Sequence, residues 1–79
     1  MDQHLASILT GIFKFRTEHI THELHKDDVG GWDSLTQMDL VLSLETEYGI
    51  ELEIPDIIKM DSVGNIIEVL KDKGVQIED

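Results

Sequence analysis

The stretch GGWDSLTQMDLVLSLETEYG, residues 30–49, decides the fold. Asp33 sits where a helix N-cap is wanted, with a carboxylate able to accept a bond from a free backbone N–H. Gln37, three residues after Ser34, offers an overlapping capping box. The spacing predicts a helix from Ser34 to about Tyr48, with Gly49 suited to the left-handed position that closes it. At about 100° per residue, Leu40, Val41, Leu44 and Tyr48 cluster on one side of that helix. Leu35, Met38 and Leu42 form a second apolar stripe, with Asp39, Glu45 and Thr46 beside or within it. A small bundle buries one stripe fully and scarcely both. Either the second stripe is an exposed docking surface flanked by acids, or the helix is central and buried nearly all round. Periodicity leaves both open.

Upstream, Leu5, Ile8, Leu9, Ile12, Phe13 and Phe15 fall on one helical face and predict a first helix near 3–17. Residues 18–33 then read as a long connection, with Ile20, Leu24 and Val29 pinning it to the core. Downstream, Ile50 to Ile54 alternates like a strand, but so short a chain offers it no partner, so it reads as extended loop. Pro55 suits the first turn of a short third helix, about 55–60. Asp61 or Ser62 caps a fourth helix whose inner stripe is Val63, Ile66, Ile67 and Leu70. Lys71 and Lys73 suit the negative end of its dipole, and Gly74 ends it. The expected fold is all-α: a four-helix bundle with a long loop between helices one and two and a short third helix, in a single domain over 1–79.

Composition narrows the function. Seventy-nine residues bury too small a core for elaborate catalytic machinery. No cysteine is present, so no thiolate serves as ligand or nucleophile. Six Lys and Arg against seventeen Asp and Glu give a formal net charge of −11. That field repels nucleic acid and anionic membranes, and attracts proteins with basic docking patches. A hydrophobic content of 41% predicts a folded domain rather than an acidic tail. No leader segment and no membrane-length apolar run is evident, so a cytoplasmic monomer is expected, without membrane insertion.

The segment Gly31-Trp32-Asp33-Ser34-Leu35, followed by an amphipathic helix of this length, resembles the acyl carrier protein family. Leu40 to Gly49 looks like the rest of that family's second helix, and Met60-Asp61-Ser62-Val63 like the start of its last. The resemblance covers nearly the whole chain and is strongest over 31–70. It implies a non-enzymatic carrier of acyl groups, held as thioesters on a 4'-phosphopantetheine arm. Ser34 matches the attachment point, flanked by Asp33 and Leu35. The arm would come from coenzyme A through a phosphopantetheinyl transferase. Acyl-loading and acyl-transferring enzymes with basic docking patches would then dock on Asp33, Leu35, Met38, Asp39, Leu42 and Glu45. Ile57, Ile58 and Met60 look like third-helix residues able to contact the arm or its cargo. Trp32 stands where many fatty-acid carriers have a smaller aliphatic residue. It is a candidate for contact with a partner or the arm, or else its indole packs over the loop. The loop resembles carriers of specialised pathways more than those of primary lipid synthesis.

Other chemistry finds little support. No Gly-x-Ser-x-Gly elbow surrounds Ser34, which argues against a hydrolase. His19, His22 and His25 recur every third residue, but helical geometry would rotate His25 away from His19, so solvated loop histidines are expected rather than a zinc site. The alternative to a carrier is an acidic helical module that binds a basic partner through the Leu35/Met38/Leu42 stripe.

Overall fold

The computed structural model describes residues 1–78. Four α-helices follow in order: α1 (Gln3–Phe13), α2 (Ser34–Tyr48), α3 (Ile54–Lys59) and α4 (Val63–Asp72). No strand occurs among the described residues. The all-α bundle, its long first connection and its short third helix are those expected. The core draws Leu5, Leu9 and Phe13 from α1, Leu40, Val41 and Leu44 from α2, and Val63, Ile66, Ile67, Val69 and Leu70 from α4.

The helix starts are local side-chain devices. The Asp2 carboxylate accepts the Leu5 N–H at 3.0 Å. Ser62, rather than Asp61, caps α4 by accepting the Asn65 N–H at 3.1 Å. Asp61 turns aside and accepts from the Asn65 side-chain amide at 2.8 Å. α3 begins one residue before Pro55, and the Asp56 carboxylate accepts the Glu53 N–H at 3.0 Å.

One expected boundary is corrected. α1 ends at Phe13, not near residue 17, because Lys14 turns into the left-handed region at φ 58°. The Lys14 N–H still closes the last turn on the Thr10 carbonyl at 2.8 Å. Phe15 continues the apolar pattern and so mimics a longer helix. It packs on the core from irregular backbone instead. A helix reaching residue 17 would carry the chain away from where Ile20, only 6% exposed, must enter the core.

The long connection is folded and fastened. It contains two 3₁₀ turns, Thr17–His19 and Lys26–Asp28. Its segment 22–26 lies antiparallel to the start of α4. Val63 N–H donates to Leu24 O, Gly64 N–H to His22 O and Lys26 N–H to Asp61 O, each at 2.9 Å. The approach is close: a Cβ at Gly64 would meet His22 O at 3.1 Å. His25 serves this fastening. Its Nδ1 accepts the Asp27 N–H at 3.2 Å, and its Nε2 lies 3.5 Å from Asp61. Among the described residues, no group of three or more His, Asp or Glu side chains is arranged to hold a metal ion.

Lys73 does more than face a helix dipole. Its Nζ reaches Asp56 Oδ2 at 2.8 Å and ties α4 to α3. The carboxylate holds the lysine above its usual range, and the lysine, with the Glu53 N–H bond, holds Asp56 below its own.

Candidate functional site

The two stripes of α2 are resolved by packing. Leu40, Val41 and Leu44 are buried in the common core that also holds side chains of α1 and α4. Leu35, Met38 and Leu42 are 75%, 48% and 58% exposed, so the second stripe faces solvent. Asp39 is exposed beside it. Two α3 side chains, Ile54 and Ile58, are also exposed. Glu45 does not stand free on this face. Its Oε2 accepts the Leu52 N–H at 2.8 Å and fastens the segment that leads into α3.

Ser34 is the first residue of α2 and is exposed. Before it, the Asp33 carboxylate accepts the Thr36 N–H at 3.0 Å. That bond, with the Thr36 hydroxyl as the next contribution, holds the Asp33 carboxyl below the usual carboxylate range. Asp33 is thereby occupied with the helix end, and the neighbouring hydroxyl is left accessible. A helix N-terminus adds unpaired N–H groups and partial positive charge, which suit an anionic phosphodiester.

Ser34 also stands on the rim of a groove of about 590 Å³ between the long connection, α2 and α3. Met38, Ile57 and Ile58 give it an apolar side, and Lys26, Asp27 and Asp61 a charged one. Ile57 is half-buried. Met60, also a candidate to contact the arm or its cargo, lines the groove from beneath but is 1% exposed and part of the core.

Trp32, a candidate for partner contact, is only 6% exposed. Its ring packs on Phe13 with centroids 4.3 Å apart. Its indole N–H donates to Gln37 Oε1 at 2.6 Å. The indole therefore packs into the core, as the second alternative had it, while the residue also lines the groove beside Ser34. Gln37 likewise forms no capping box with Ser34. Its side-chain amide donates to Ile57 O and Met60 O, both at 3.0 Å, and so joins α2 to α3. The sequence contains no signal for this, because the acceptors are backbone carbonyls twenty and more residues away.

The arrangement presents one accessible hydroxyl at a positive helix end, a groove beside it and an apolar stripe running away from it.

No described helix is long and apolar enough to cross a membrane. The family model described as "Phosphopantetheine attachment site" matches residues 3–70. An acyl carrier protein of Thermotoga maritima is 35% identical over 69 residues, which is 87% of this chain and 85% of that protein. The solution structure of a holo acyl carrier protein from Geobacter metallireducens superposes with a TM-score of 0.78 at 30% identity. It covers 89% of this chain and 80% of that one. Acyl carrier proteins are carriers, not enzymes, and bear covalent 4'-phosphopantetheine. They work with a phosphopantetheinyl transferase and with biosynthetic enzymes. By its sequence and its fold alike, the chain belongs to the phosphopantetheine-attachment family, as an acyl carrier protein.

Proposed function

We propose that Ser34 is the attachment point of the phosphopantetheine arm. The observation that supports it is an exposed serine hydroxyl at the N-terminal residue of α2, uncovered because Asp33 takes the capping role. The Ser34 oxygen attacks the pyrophosphate of coenzyme A. A P–O bond to Ser34 forms, the bond to adenosine bisphosphate breaks, and the hydroxyl proton passes to a base of the transferase. The attached group supplies a terminal thiol that this cysteine-free chain lacks. The chain's own residues then hold the phosphodiester at a helix end and present the tether to partners at high effective concentration.

The docking face in this reading is Leu35, Met38 and Leu42, with Asp39 beside them. An exposed apolar stripe beside acids complements an enzyme patch of apolar residues ringed by Lys and Arg. Acidic charge speeds the encounter, and apolar contact holds it. The protein acts as a cytoplasmic monomer that meets its enzymes one at a time.

The test is intact-mass analysis after incubation with coenzyme A and a broad-specificity phosphopantetheinyl transferase. One added phosphopantetheine is expected on the wild type and none on Ser34→Ala. Folded wild-type protein that stays unmodified with several transferases contradicts the proposal.

A further inference from the structure

We infer that this carrier is built for short, polar acyl groups that stay in the surface groove, and that Trp32 and Gln37 are the specificity-determining pair that bars a long alkyl chain from the core. The inference rests on attachment of the arm at Ser34.

The arm is rooted at Ser34, which lines the groove, and an arm folded back along the surface lays the cargo on its terminal thiol into that groove. An alkyl chain gains by leaving water, and the apolar space nearest to it lies inward, between α2 and α3, past Ile57 and Met38. The Gln37 side chain lies across that route. It comes from α2 one turn after Ser34, and its Nε2 donates to both Ile57 O and Met60 O near the end of α3. Its Oε1 takes the Trp32 indole N–H at 2.6 Å. Both amide hydrogens are therefore in use, and the tryptophan is itself wedged against Phe13. An alkyl chain passing between the helices would separate these partners and leave an indole N–H, a carboxamide and two carbonyls facing methylene groups. Buried polar atoms without partners are strongly disfavoured, so the passage stays closed.

Behind the pair the core is occupied. Met60 is 1% exposed, and Leu40, Leu44 and Ile66 are 0% exposed. What remains open to cargo is the groove itself. Lys26, Asp27 and Asp61 stand on its charged side, and Gln37 forms part of its lining. A short acyl group bearing a hydroxyl or similar polar function finds donors and acceptors on that side, whereas a long alkyl tail laid along the apolar lining of Trp32, Met38, Ile57, Ile58 and Met60 stays in an open groove, partly in water.

The test loads wild-type protein from acetyl-, hydroxyacetyl- and octanoyl-coenzyme A, with loading verified by intact mass. Tm and methyl and amide NMR shifts are then compared. Octanoyl and acetyl forms are expected to melt within about 2 °C of each other, with Leu40 and Ile66 methyl signals unmoved. Hydroxyacetyl is expected to shift the Lys26 and Gln37 amide signals relative to acetyl. An octanoyl form that melts about 10 °C or more above the acetyl form, with moved core methyl signals, shows a chain inside the core and overturns the inference. Hydroxyacetyl and acetyl forms with identical groove signals overturn its polar part. Failure of all three to load is seen in the mass spectrum; it removes the attachment at Ser34, and this inference with it. In Gln37→Ala, octanoyl is expected to raise Tm by about 4–8 °C over acetyl. If that variant does not fold, the wild-type comparison still decides.

Discussion

At the scale of single residues, Ser34 owes its accessibility to its neighbour. Asp33 supplies the cap, so the serine hydroxyl is not drawn into the helix end. The cap is legible in the sequence, because capping works over three residues and needs no distant partner. The contacts of Glu45, Gln37 and Trp32 are not legible there, for the opposite reason. Their partners are Leu52 N–H, the Ile57 and Met60 carbonyls and the Phe13 ring, which only the folded chain brings near. Tyr48 is a further case. Its hydroxyl is buried with no hydrogen-bond partner among the described residues, and burial, with the charges of Asp2 and Glu47, pushes the phenol above its usual range. Removing an unpaired polar atom removes its desolvation cost. Tyr48→Phe should therefore raise unfolding stability by about 1 kcal/mol in urea denaturation. A loss of similar size would show that the hydroxyl has a partner in solution.

At the scale of elements, the helices with strong caps lie where the pattern puts them, and the one without a stop signal does not. Nothing around Lys14 announces an end to α1, since the usual glycine is absent and Phe15 keeps the apolar rhythm. The turn is imposed by the need to return Ile20 to the core. A lysine at φ 58° carries backbone strain that glycine would not. Lys14→Gly and Lys14→Ala remove the same charge, so their comparison isolates the backbone term. The glycine variant should be more stable by about 1 kcal/mol in chemical denaturation. Equal stabilities would show that residue 14 relaxes out of the left-handed region. α2 illustrates a different limit. Its two stripes were visible from spacing, but which one is buried depends on where α1 and α4 pack, and spacing does not contain that. The structure leaves Leu35, Met38 and Leu42 in solvent.

At the scale of the whole molecule, charge dominates. A net charge of −11 on 79 residues makes the folded state repel itself, so salt should stabilise it. Raising ionic strength from about 10 to 150 mM should lift Tm by at least about 3 °C, and an unchanged Tm contradicts this. Acid acts in two stages. Net negative charge shrinks as pH falls from 7.5, which relieves repulsion. Asp2, Asp33, Asp56 and Asp61 are held below the ordinary value of 3.8 in the folded state, mainly by hydrogen bonds. Their contribution is present above that value and lost as pH falls through their lower folded values. Tm should thus be higher near pH 5 than at pH 7.5 and collapse below about pH 3.5. A Tm that falls steadily from pH 7.5 contradicts the balance. Among the serines, one particular hydroxyl is proposed to accept the arm. Ser34 and Ser43 both lie between Lys26 and Lys59, so a single tryptic peptide contains them, while Ser7 and Ser62 fall on others. The most direct measurement is fragmentation of that peptide by tandem mass spectrometry after treatment with transferase and coenzyme A. Phosphopantetheine on Ser34 is the predicted result, and the group on Ser43 or any other serine would contradict the account.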